Sequence, residues 1–356
     1  MCPGGDDDTL ALILPTLRKV AAKDPHGNPC VGPVATGGGG HYCKMIHNGI
    51  EHGMMSAISE AWGIMKHGLG MSLDEMGDVF EKWNREGELR GTFLISISAD
   101  ICRTKDLRTG EYVLDTVEDK VVQDFTGEEG TGVWSNTEAI EHHVTAPTMA
   151  AAHFLRIASG DLHQRRTIQS NFGGPLCPPQ QLQDIADRLA LLEDLRLAVY
   201  TACLSAYVQG MNVIDKADKA NHFNVDYAVL LQIWRAGCII QADYISESLL
   251  QPIYTHKKSK SASQTNPLYE PDVARDLKRG VGSLKRIVMR AIASDQVVPA
   301  LSASLEYLKY QTSTDLPTSF YEAQLDYFGS HMFDKKGEDE AGKPETGKHH
   351  FEWKPA

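Results

Sequence analysis

Between His41 and His67 the chain has no proline, and Ile46, Ile50, Met54, Ile58, Trp62 and Met65 recur every three or four positions. Only a helix gathers that spacing onto one face, so the segment is expected to form a long helix with a buried apolar stripe. Gly49 and Gly53 interrupt the pattern. Each costs a helix about 1 kcal/mol relative to alanine, which predicts close packing or close approach of a ligand there. Just upstream, residues 24–40 are rich in Gly and Pro and end in Gly37-Gly38-Gly39-Gly40, the composition of a connector.

Helical signals fill most of the remaining chain. Asp6 to Asp8 can cap a helix running to Val20, and Ser72 can cap one from Leu73 to about Glu86 with Met76, Val79, Phe80 and Trp83 on its apolar side. Further helices are expected over 92–103, 136–159, 180–214, 225–250, 270–293 and 296–311, and strand signals are sparse. The fold class is therefore mainly α. Ser56-Ala57 is echoed by Ser205-Ala206, and Leu73 to Arg85 by Val225 to Arg235, at an offset of roughly 150 residues. Two tandem helical units or shared helix periodicity would each produce that echo. Lys258 to Pro267 has loop composition, and 334–348 reads as a charged, extended tail.

Composition removes several function classes. A net charge of −12, with no Lys/Arg-rich helix, gives no basic field for nucleic acid. No uncharged apolar run reaches about 18 residues, so a membrane partner is not expected. Seven scattered cysteines without a CxxC pair suit a reducing compartment, the cytoplasm by default.

On the long helix, Lys44, His47, Asn48 and Glu51 share one face. The ordinary reading of such a stripe is a solvated polar surface. The adjacent glycine connector and the two helix glycines favour a site instead, in which a partly desolvated lysine and a carboxyl act as an acid/base pair. No Gly-x-Ser-x-Gly elbow marks a nucleophile. Metal ligation by His47, Glu51, His52 or His142-His143 is disfavoured, because His47 and His52 diverge around a helix and no HExxH occurs.

The run Gly40-His41-Tyr42-Cys43-Lys44-Met45-Ile46-His47-Asn48-Gly49-Ile50-Glu51 strongly resembles the substrate-site helix of the decarboxylating 6-phosphogluconate dehydrogenases. Supporting similarities are Met1 to Gly5, Gly130 to Trp134, Trp234 to Ile240 and Ala323 to His331, in the same order. The resemblance implies the all-helical C-terminal domain of that family. It implies oxidative decarboxylation of 6-phosphogluconate to ribulose 5-phosphate and CO2 with NADP, in the pentose phosphate pathway. Lys44 would be the general base, Glu51 the acid that protonates C1 of the enediol, and His47 and Asn48 substrate-positioning groups. A homodimer is implied, with the C-terminal tail carrying His331 into the partner. Residues 1–36 would be the end of the NADP-binding domain and connector, 37–333 the helical substrate-binding and dimerisation domain, and 334–356 the tail.

Two departures qualify this. The family's Rossmann domain, with its Gly-x-Gly-x-x-Gly loop, has no match in these residues, so no cofactor-binding residue is assigned. The family's phosphate grip of a tyrosine, a lysine and two arginines reads here as His52, Glu129, Gln241 and Leu325, with His52 kept as a substrate-binding candidate. Losing three cations removes the expected anchor for a dianion. Two alternatives follow: a paralogue acting on an unphosphorylated 3-hydroxy acid or aldonate, or a catalytically incomplete dimerisation fragment.

Overall fold

Where the sequence interrupts its longest helix with glycine, the folded chain brings another helix into contact. The computed structural model describes residues 1–127, 130–183, 185–257, 266–338 and 347–353. Its elements are α1 (Asp7–Val20), α2 (Gly39–Gly63), α3 (Leu73–Arg85), α4 (Phe93–Arg103), α5 (Val122–Thr126), α6 (Thr131–Glu141) and α7 (Pro147–Gly160). They continue as α8 (Leu162–Asn171), α9 (Arg188–Asn221), α10 (Tyr227–Ile233), α11 (Gln251–Lys257), α12 (Pro271–Ala293), α13 (Pro299–Gln311) and α14 (Thr318–Gly329). Among the described residues only isolated β-bridges occur, so the expectation of a mainly α fold is borne out.

Local chemistry explains most helix starts. Asp6 accepts a bond from Thr9 N at 2.9 Å, and Ser72 and Glu75 form a reciprocal capping box. Proline opens α7, α12 and α13, where its missing N–H would be unpaired in any case. Three expected spans differ. The 136–159 span starts earlier and breaks at 142–146, where His143 takes φ 52° and Pro147 begins a new helix. The 180–214 span starts only at Arg188, whose cap Asp187 accepts from the N–H groups of Leu189 and Ala190, and it runs on to Asn221. The 225–250 span stops at Ile233, turns through Gly237 at φ 68°, and resumes as a π-type segment, Tyr244–Leu250, leading into α11. Helices α5, α8 and α14 had too little periodic apolar signal to be foreseen.

The chain packs as two units, 1–307 and 308–356. In the first, α9 lies between α2 and α12, while α6 and α7 cover another side of α2. Ile46, Ile50 and Met54 are completely buried, each worth roughly 1.5–3 kcal/mol of transfer free energy. A Cβ on Gly53 would lie 2.9 Å from Ala206 Cβ, and one on Gly210 would lie 2.4 Å from Ile50 Cγ1. The two echoing helices, α2 and α9, therefore pack directly on each other. Helix α9 is long and apolar enough to cross a bilayer, but nearly all of that stretch is buried inside the protein, as in a core helix.

Buried polar groups tie the same helices together. Glu60 accepts hydrogen bonds from Ser56 Oγ (2.7 Å), Ala300 N (2.8 Å) and Leu301 N (2.9 Å), so its carboxyl caps the start of α13. In the second unit Asp326, also fully buried, accepts from Met332 N, His350 Nδ1, Phe351 N and Trp353 Nε1 at 2.8–3.1 Å. A bridge between Phe333 and His349 returns 347–353 to the end of α14, so this part of the expected extended tail folds back. Residues 258–265 of the expected loop and 339–346 of the tail lie outside the described residues.

Candidate active site

Helical spacing alone places Lys44, His47, Asn48 and Glu51 on one face of α2, and the side chains interact along it. Asn48 Oδ1 accepts from Lys44 Nζ, and Lys44 Nζ lies 3.4 Å from His47 Nδ1. His47 Nδ1 is 3.1 Å from Asn48 Oδ1 and 3.9 Å from Glu51 Oε2. Asn48 Nδ2 donates to Thr131 Oγ1 at 3.0 Å, which fastens the stripe to the first turn of α6.

The four residues have different surroundings. Lys44 is exposed, Asn48 and Glu51 are half-buried, and His47 is buried with its ring edge-on to Trp234 at 5.9 Å. Burial, and then the charge of Lys44, push the His47 pKa down to about 3. His47 is thus neutral at physiological pH, and its approach to Glu51 is a contact between an imidazole and a carboxyl, not an ion pair. Gly49 is explained by packing: a Cβ there would stand 2.4 Å from Met149 Cε and 2.7 Å from Ser135 Oγ. For Gly49 and Gly53 alike, helix contact and not ligand approach accounts for the glycine.

One turn beyond Asn48, His52 is buried and stacks on His153 of α7, with centroids 5.8 Å apart and planes 8° apart. Both rings occupy space above Gly132, where a Cβ would meet each within 2.6 Å. Arg156 Nη1 donates to His52 Nε2, and Arg156 Nε donates to Asp124 Oδ2 at 2.9 Å. Sequence reading missed Arg156 and His153 altogether. Thr131 and Trp234 lay inside runs already singled out, but carried no role there.

Gln241 sits in the turn before the π-type segment, where its carbonyl accepts from Phe93 N at 3.0 Å. Glu129 lies outside the described residues. Leu325 and His331 belong to the second unit: Leu325 lines a cavity of about 510 Å³ with Phe320, Tyr321, Phe328 and Trp353, and the His331 ring meets Phe328 edge-on at 5.8 Å. His142 faces Glu138 at 3.2 Å, and among the described residues no group of three His, Cys, Asp or Glu side chains could hold a metal ion.

By fold, the chain is the all-helical domain of a decarboxylating dehydrogenase. It belongs to the 6-phosphogluconate dehydrogenase family, whose C-terminal domain profile matches residues 40–353. It is 42% identical to the decarboxylating 6-phosphogluconate dehydrogenase of Emericella nidulans, over 100% of this chain and 73% of that protein. The Synechococcus elongatus enzyme of the same name is 33% identical over 99% of this chain and 70% of its own length. A solved structure of Plasmodium falciparum 6-phosphogluconate dehydrogenase, studied in its apo form and with NADP+ and 6-phosphogluconate, superposes with a TM-score of 0.84. It has 32% identity, covering 99% of this chain and 70% of that one.

Proposed function

We propose that this chain provides the substrate-binding and proton-transfer groups for oxidative decarboxylation of 6-phospho-D-gluconate to ribulose 5-phosphate and CO2, with NADP as hydride acceptor. The observation carrying this reading is the continuous contact from Lys44 through His47 and Asn48 to Glu51, fixed to α6 at Thr131. Lys44 takes the proton of the substrate C3 hydroxyl and returns it to the oxygen there as CO2 leaves. Glu51 protonates C1 of the enediol. His47 is neutral, so it orients hydroxyl groups by hydrogen bonding and does not compete with Lys44 for the proton. Lys44 is exposed in this chain, so bound ligand must exclude water from it before it can act as a base.

A dinucleotide is usually cradled by a strand, a Gly-rich turn and a helix, and no described residue lies in a strand of that kind. The described residues therefore do not fit NADP, and none is assigned to it. Of the two substrate readings, the phosphorylated one is supported by the similarity to proteins named 6-phosphogluconate dehydrogenase. The domain limits suggested by the resemblance, a cytoplasmic setting and a role in the pentose phosphate pathway belong to this proposal.

So does a homodimer in which the second unit, carrying His331, is covered by another copy. Phe320 and Phe328 are 72% and 71% exposed on α14, an apolar load suited to a protein partner. The test of the catalytic reading is Lys44→Met in the assembled enzyme. Loss of 6-phosphogluconate oxidation with substrate binding retained is expected, and unchanged turnover would remove Lys44 as the base. Sedimentation of the purified chain tests the dimer, and a monomer at micromolar concentration would exclude it.

A further inference from the structure

We propose that Asp326 and His350 form a pH-dependent latch: while His350 is protonated, its ion pair with the buried Asp326 carboxylate holds residues 347–353 against the turn that carries His331, and loss of that proton loosens the hold. All of these groups lie within the second unit. Under the proposed function this turn presents His331 to substrate, but the latch itself is independent of that role.

Four donors fill the two oxygens of Asp326, which is completely buried. Oδ1 accepts from Met332 N at 3.0 Å and His350 Nδ1 at 2.9 Å, and Oδ2 accepts from Phe351 N at 3.1 Å and Trp353 Nε1 at 2.8 Å. A buried carboxylate calls for a compensating charge as well as hydrogen bonds, and of these four donors only His350 can become a cation. Its side chain is 30% exposed, so solvent can supply or remove the proton.

The turn itself needs holding. Ser330 and Met332, on either side of His331, take φ of 49° and 69°, in the left-handed region that residues with a Cβ rarely adopt. Both are tied to Asp326: Ser330 N donates to its carbonyl at 2.9 Å, and Met332 N to its carboxylate. The segment returning over this turn is thus held by the same residue that fixes the turn.

Both ring nitrogens of His350 face acceptors. Nε2 lies 3.4 Å from Glu352 Oε1 and 3.5 Å from Ser330 Oγ, so the protonated ring serves both sides, while a neutral ring has one N–H and turns a lone pair toward one of the two carboxylates. The other titratable or charged groups nearby are His331 in the turn, Tyr327 of α14, whose ring meets Trp353 at 6.1 Å, and His349, whose Nε2 lies 2.6 Å from Glu338 with Lys335 and Lys348 beyond. The Asp326 hydrogen bond, then the charges of Asp326 and Glu352, raise the His350 pKa against the effect of burial. Burial would raise the Asp326 pKa, but its hydrogen bonds outweigh that and hold it well below the usual carboxylate range. The His350 contribution is therefore complete below its unfolded value of about 6.5 and is lost as pH rises through the higher folded value; the Asp326 contribution is lost only in acid, below about pH 4.

Histidine NMR and amide hydrogen exchange of the full chain test this without substrate, apart from the Lys44→Met experiment. His350 should titrate above about 6.5, and Asp326→Asn should return it to about that value. Between about pH 6 and about pH 9, protection of the amides at 330–333 and 347–353, corrected for intrinsic exchange, should fall several-fold relative to α9, and His350→Gln should abolish that dependence. A wild-type His350 that titrates at or below about 6.5, protection equal at the two pH values, or a pH dependence that survives in His350→Gln overturns the latch. If Asp326→Asn does not fold, the wild-type titration and His350→Gln, a change at a partly exposed side chain, decide.

Discussion

The two halves of α2 carry one glutamate each, and the two are put to opposite uses. Glu51 lies in the first half, half-buried, on a polar face whose lysine reaches solvent and whose neighbouring imidazole is neutral. Glu60 lies in the second half, buried on every side, with both carboxylate oxygens taken by Ser56 and the first N–H groups of α13. In the proposed function one carboxyl exchanges protons with a ligand, while the other joins two helices. Nine residues apart, the two lie on opposite faces of α2, so each meets different neighbours arriving from elsewhere in the chain.

Removing the functional end should have the largest effect. Lys44→Met in the assembled enzyme is expected to lower kcat by at least roughly 10²–10⁴-fold, the range for a positioned acid or base, while the melting temperature barely moves because Lys44 is exposed. Steady-state kinetics beside calorimetry check it, and a large stability loss with normal kcat would reverse the contrast between the halves.

The structural end should respond to pH instead. Burial pushes the Glu60 pKa up to about 7 from 4.5, against the pull of its three hydrogen bonds. Because the folded value is the higher one, the folded state binds the extra proton between pH 4.5 and 7. Stability therefore falls as pH rises through that window, by about 3 kcal/mol in all. Urea unfolding of wild type and Glu60→Gln at pH 5 and pH 8 should show this slope only in wild type. Equal slopes would mean that Glu60 stays ionised when folded.

Smaller effects probe the seams between helices. Gly210→Val forces carbon into the 2.4 Å space beside Ile50 and should cost about 1–3 kcal/mol in denaturant unfolding. No loss would show that α2 and α9 can separate freely, which the tight contact at Gly53 and Ala206 argues against. Thr131→Val removes the hydrogen bond from Asn48 Nδ2 to α6, worth about 0.5–1.5 kcal/mol. A several-fold rise in KM with little change in kcat is expected; an unaltered KM would mean Asn48 is held from α2 alone.

How much of this was legible beforehand differs along the chain. The stripe Lys44, His47, Asn48 and Glu51 could be read from spacing, because residues three and four apart share a helix face wherever the helix lies. The break at 142–146 was harder, since His143 in a left-handed conformation leaves no periodic signal and Pro147 can equally open a helix. Glu60 gave no sign of its burial, and Arg156 none of its contact with His52, as both depend on partners tens or hundreds of residues away.

The sequence by itself determined that α2 exists, which of its faces is apolar and which carries Lys44, His47, Asn48 and Glu51, and to which family the chain is similar. Periodicity and motif are short-range properties, set within a few turns. Only the tertiary structure decided that Gly49 and Gly53 serve packing, that His47 is buried enough to stay neutral, and that a guanidinium from α7 stands beside His52. Those outcomes rest on how closely helices approach and on what they desolvate, and both are fixed only when distant segments pack together.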